Sequence, residues 1–197
     1  MEKILVRIRV YVTELFQRRK YSFLKYHNFQ HTETVVERAT EIAHHFSLSE
    51  SELFCLLAAS WFHDTGHLFN ELSEHEKAGA DLCSAFLKSF SLDENMIHEV
   101  EACIMVTKMP SHPKTTIEKI ICDADTYHFG TGQFFETDQR VYEEMEERLG
   151  LKINHKTEKS IKLLQKHAFF TTYCQDLLNK GKLRNIRRLQ KLLGGLN

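Results

Sequence analysis

The chain has 197 residues, 42% of them hydrophobic and 27% charged, and 26 lysines and arginines nearly cancel 27 aspartates and glutamates to leave a formal charge of −1. That length suits a single domain over 1–197 with enough apolar residues for a sizeable core, and the balanced charge argues against general attraction to nucleic acid. No run approaches the roughly 18 apolar residues of a membrane span, and five cysteines without a close pair argue against a disulfide framework.

Residues 1–20 mix charge into their apolar run from the second residue, which fits a helix over 3–19 rather than a secretory signal. A helix over 30–46 carries the apolar row His31, Val35, Ala39, Ile42, Phe46. Ser49 with Glu52 forms a capping box that opens a helix over 50–63. Its stretch from Leu53 to Phe62 is apolar almost all round, so it reads as the central, buried helix. Further boxes, Ser73 with Glu76, Ser91 with Glu94 and Thr115 with Glu118, open helices over 74–89, 93–108 and 115–129. Helices over 132–149 and 155–179 follow, with a short basic one near 183–193. Both prolines, Pro110 and Pro113, fall in one connecting segment, and strand-like alternation is missing. The reading is an all-α bundle of about seven to nine helices.

The five cysteines, Cys55, Cys83, Cys103, Cys122 and Cys174, read as reduced, core-facing thiols of a cytoplasmic protein. Near the end Lys180, Lys182, Arg184, Arg187, Arg188 and Lys191 crowd together. That cluster reads first as a solvated helix face and second as a contact for phosphate or a partner.

Twelve histidines draw attention to metal chemistry. In WFHDTGH, residues 61–67, His63 and Asp64 stand together at the end of the most hydrophobic helix. Burying an ionised carboxylate there costs several kcal/mol unless it is paired or metal-bound. From these residues alone a metal-binding pair fits no better than a helix end whose histidine caps carbonyls and whose aspartate faces water. His31 lies on an apolar stripe, where a hydrogen-bonded core histidine is commoner than a ligand. In IEKIICDADTYHFG, spacing favours Asp125 over Asp123 only weakly as an inward group, and one of the two is expected to face solvent.

Taken in order, YHNFQH, FHDTGH and ICDADTYHFG resemble the motifs of the HD superfamily of metal-dependent phosphohydrolases, across a motif-bearing core of about 26–130 with a helical C-terminal extension. The resemblance implies metal ligands His31, His63, Asp64 and Asp125, the last because it follows the alanine. It implies one divalent ion, drawn from Mn, Fe, Ni, Co, Zn and Mg. Some members bind two, but a complete second ligand set is not visible. It further implies that His67, four residues after His63, contacts phosphate or serves acid chemistry beside Asp64.

His75, Thr107 and Lys77 are expected near the substrate, although His75 at a helix start and Lys77 on a helix surface fit solvent exposure as well. The implied reaction is hydrolysis of a phosphoester or phosphoanhydride in a nucleotide or other small phosphorylated metabolite. A non-catalytic scaffold that senses a ligand or partner is the alternative, and a di-iron oxygenase would need six ligands that the chain does not supply. Neither membrane nor nucleic-acid partners are expected, and self-association remains open.

Overall fold

The computed structural model describes residues 1–19, 21–69 and 74–195, and every regular element among them is helical. None of the described helices is long and apolar enough to cross a membrane. The chain divides into two compact units, residues 1–21 with 27–125, and residues 22–26 with 126–197.

The first unit contains α1 (Glu2–Arg18), α2 (Phe29–Ala43), α3 (Glu50–Phe62), α4 (His75–Lys88), α5 (Glu94–Met105) and α6 (Thr116–Asp125). As its composition demands, α3 is the core, and α1, α2, α4, α5 and α6 all pack against it. Phe54, Leu56 and Phe62 are fully buried, each contributing about 1.5–3 kcal/mol by leaving water. The Ser49 box forms as expected: Ser49 Oγ accepts from the Glu52 N–H at 3.2 Å, and Glu52 accepts from the Ser49 N–H at 2.8 Å. The Thr115–Glu118 pair makes the same two reciprocal bonds.

Two expected caps differ. Ser91 sits at φ 52°, and Asp93 caps α5 instead, accepting from Asn95 N. An aspartate two residues nearer the helix wins because its carboxylate already faces the free amides. Ser73 lies outside the described residues, and its expected partner Glu76 is buried. Asp123 is also buried, so neither aspartate of the DAD segment is the solvent-facing group expected.

The helix expected over 115–129 stops at Asp125, and Tyr127–Gly130 form a tight 3-10 turn. That turn belongs to the second unit, with α7 (Phe134–Leu149), α8 (Lys156–Lys166) and α9 (Thr172–Gly194). The long helix expected over 155–179 is broken at 167–171, and one 23-residue helix replaces the short basic one. Side chains explain the break. Lys182 donates to the His167 carbonyl at 2.6 Å, Gln175 to the Phe169 carbonyl at 2.9 Å, and Thr171 caps α9 by accepting from Cys174 N at 3.2 Å. Gly181 lies mid-helix and buried, because a Cβ there would stand 1.7 Å from the Gly130 carbonyl oxygen.

Candidate metal centre

Three helices of the first unit deliver the expected ligands to one place. His31 comes from the first turn of α2, which Asn28 caps by accepting from His31 N at 3.1 Å. His63 and Asp64 follow the last residue of α3, and Asp125 ends α6. His31 Nε2 lies 3.2 Å from Asp64 Oδ2 and 3.2 Å from Asp125 Oδ1. His63 Nε2 lies 3.3 Å and 3.8 Å from the same two oxygens.

His63 Nδ1 donates to the Ser60 carbonyl at 2.8 Å, which fixes the tautomer and leaves the Nε2 lone pair facing the carboxylates. His63 Nε2 and Asp64 Oδ2 are buried yet make no hydrogen bond of good geometry. Donor atoms held about 2.1 Å from one ion stand about 3.0–3.4 Å apart for octahedral or tetrahedral neighbours. Three of the four observed separations match that spacing, the His63–Asp125 distance being longer at 3.8 Å, and two imidazoles with two carboxylates suit a first-row divalent ion. The residues fit a metal.

Charge balance points the same way. Burial alone would discharge His31, but the Asp125 and Asp64 carboxylates outweigh it and raise its pKa to about 10. His63 is raised too, burial being overcome chiefly by Asp64. Burial likewise opposes ionisation of Asp64, yet the His63 charge and the nearby His31 hold its carboxyl well below the usual range. Asp125 is lowered against its own burial, mainly by His31 and then by the His63 charge. Without an ion, protons supply the positive charge that these carboxylates require.

Asp64 faces two ways. Its second oxygen, Oδ1, lies 3.8 Å from His75 Nε2 and 4.0 Å from His67 Nε2. Asp64, His67 and His75 thus form a second group able to hold an ion, beside His31, His63 and Asp125. Local backbone makes this possible. A Cβ on Gly66 would fall 2.0 Å from the His75 carbonyl oxygen, and one on Gly79 would fall 2.7 Å from that of Phe62. Only glycine at both positions lets the start of α4 lie against the turn after α3. His67 is buried within that turn, and its ring stacks on His75 with centroids 3.9 Å apart.

Other expectations fare differently. Thr107 is buried, but its hydroxyl donates to the Ile104 carbonyl at 2.8 Å and serves the end of α5. Lys77 is exposed and its ammonium pairs with Asp81 one turn along α4. Two neighbours escaped the sequence reading. The His27 ring lies against that of His67, tilted by 32° with centroids 4.1 Å apart. Glu76 is 5% exposed and places Oε1 3.3 Å from His75 Nε2. The row Glu76, Ala80, Cys83, Leu87, all buried, was the signal that its carboxylate points inward.

The HD domain family matches residues 28–130, just over half the chain. No curated protein matches. A crystal structure described as that of a predicted HD superfamily hydrolase from an uncultured Thermotogales bacterium is similar in fold, with TM-score 0.61 and 20% identity over 99% of this chain and 92% of that one. Both histidines and both aspartates of the candidate metal centre lie inside the matched residues, and the chain belongs to the HD domain family.

Proposed function

We propose that this protein is a metal-dependent phosphohydrolase that cleaves a phosphoester or phosphoanhydride in a nucleotide or another small phosphorylated metabolite. Membership of the HD domain family supports a hydrolase, as does a structural relative described as a predicted HD superfamily hydrolase. The observation that carries the reading is the two-sided Asp64: one oxygen closes the metal cradle, and the other faces His67 and His75.

His31, His63, Asp64 and Asp125 would hold the ion. The chemistry such an ion would supply is polarisation of a phosphoryl oxygen and acidification of water. Asp64 Oδ1 orients the attacking water and accepts its proton. His67 and His75, on the far side of that oxygen, bind the phosphate and offset the charge that develops on the leaving oxygen. Glu76 keeps the His75 ring turned towards the site through its contact with Nε2. The near-complete burial of His63, Asp64 and His67 excludes bulk water, which strengthens each of these interactions.

The test is phosphate release from a panel of nucleotides and sugar phosphates by protein supplied with Mn²⁺, Fe²⁺, Ni²⁺ or Mg²⁺. Release by wild type, with about a hundredfold or greater loss in His67→Ala while metal content is kept, supports the assignment of roles. Absence of release from every compound with every metal overturns it in favour of a ligand-sensing scaffold.

A further inference from the structure

We infer that the outer face of α9 is a docking surface for an anionic lipid bilayer. At 100° per residue, Lys180, Arg184, Arg187, Arg188 and Lys191 fall within one arc about 100° wide, and the stripe runs about 16 Å along the helix. All five are exposed, whereas Lys182 alone of the basic cluster turns inward, to the His167 carbonyl. No described acid forms an ion pair with any of the five. Asp176, one turn upstream, is the only acidic residue in α9.

Elsewhere many surface cations have a partner. Arg9 pairs with Glu33, Arg18 with Glu14, Arg38 with Glu41 and Arg140 with Glu136. Lys108 pairs with Glu74, and both Lys152 and Lys156 pair with Glu146. Other exposed cations also lack an ion pair, Lys88, Lys159, Lys162 and Lys166 among them, but no other described helix gathers five on one arc, so α9 presents the most concentrated cationic face on a chain of net charge −1. Four to eight clustered Lys and Arg on an amphipathic helix are the footprint of an anionic bilayer.

Apolar side chains choose between polyanions. Leu177, Leu183 and Leu192 are about half exposed and lie within or along the margins of the stripe. Leucines beside cations enter the boundary between headgroups and acyl chains, whereas nucleic acid rewards aromatic side chains that stack on bases. On the arc bearing the five cations Leu177 is exposed, whereas the aromatic rings there are only partly so: Tyr173 is half-buried, and Phe135 is covered by the Arg188 guanidinium at 4.2 Å. The helix lies on a membrane without crossing it, so the missing membrane span is no obstacle.

The experiment is co-sedimentation of the full chain with vesicles of phosphatidylcholine, alone or with about 30% phosphatidylserine, at about 0.1 M salt. We expect binding to the anionic vesicles at least tenfold tighter than to the neutral ones. Lys180→Glu/Arg184→Glu/Arg187→Glu, a variant of exposed side chains checked by circular dichroism to be folded, should abolish that binding. Leu183→Ser should weaken it while leaving the salt dependence in place. Equal binding to both vesicle types, or undiminished binding by the folded triple variant, overturns the proposal. So does retention of a fluorescent single-stranded oligonucleotide at the same salt by a protein that ignores both vesicles, which assigns the stripe to nucleic acid.

Discussion

Asp64 Oδ2 and His31 Nε2 stand 3.2 Å apart with both side chains less than a tenth exposed, and a proton on His31 competes with a metal for the same nitrogen. A raised folded-state pKa stabilises fully below the ordinary value of 6.5, and that contribution is lost as pH rises through about 10. The lowered Asp64 and Asp125 contribute above their ordinary 3.8, and their contribution is lost as pH falls below it. Metal-free protein should therefore melt highest between about pH 4 and 6.5 and lose stability in both directions, as thermal scans across pH will read.

Metal binding should reverse that upper limb. The ion needs neutral imidazoles, so His31 and His63, both raised in the metal-free protein, must give up protons. Affinity should rise about tenfold per pH unit for each proton released, over the range below about pH 10. Calorimetric titration in two buffers of different ionisation enthalpy counts those protons directly. Binding heats that are independent of the buffer would contradict this assignment.

Gly181→Ala should destabilise the second unit by about 2–4 kcal/mol, because the added methyl meets the Gly130 carbonyl oxygen, which is backbone and cannot swing away. Chemical denaturation measures the loss. A variant within about 0.5 kcal/mol of wild type would show that α9 shifts freely over the 127–130 turn.

Glu144→Ala should cost about 3–5 kcal/mol. Glu144 and Arg148 pair at 3.2 Å with side chains 1% exposed each, and Glu144 also accepts from Tyr26 N at 2.9 Å. Truncation strips the buried guanidinium of this carboxylate and the 22–26 segment of an anchor within the second unit. Denaturation midpoints read the effect.

The thiols should be inert in the folded protein. All five cysteines are buried thiols outside any disulfide, and burial pushes Cys55 and Cys122 up to about 12, with acidic neighbours adding to it. An aromatic disulfide reagent at about pH 8 should find none of them until denaturant is added.

The fold was legible wherever one element's own pattern decided it. The all-apolar run of α3 and the reciprocal caps at Ser49 and Thr115 needed no partner to be read. The C-terminal break was not legible, because it depends on Lys182 and Gln175 reaching back to carbonyls of residues 167 and 169. Nor was the role of Gly181: a glycine in a basic stretch reads as an interruption until its neighbour Gly130 is known. At the site, His31, His63, Asp64 and Asp125 emerged from ordered motifs. His27 and Glu76 did not, since their placement follows from a ring contact with His67 and from the close approach at Gly66 and Gly79. Lys77 carries the right chemistry on the wrong face of α4, and Asp81 one turn away claims it.

The most direct test of the central claim is metal content by elemental mass spectrometry, for wild type and for Asp64→Ala and Asp125→Ala after loading with Mn²⁺, Fe²⁺ or Ni²⁺. The account predicts about one tightly held ion per chain in wild type and loss of that ion in both variants, with far-ultraviolet circular dichroism unchanged. A folded wild-type protein that retains none of these metals, or variants that retain as much as wild type, would contradict it.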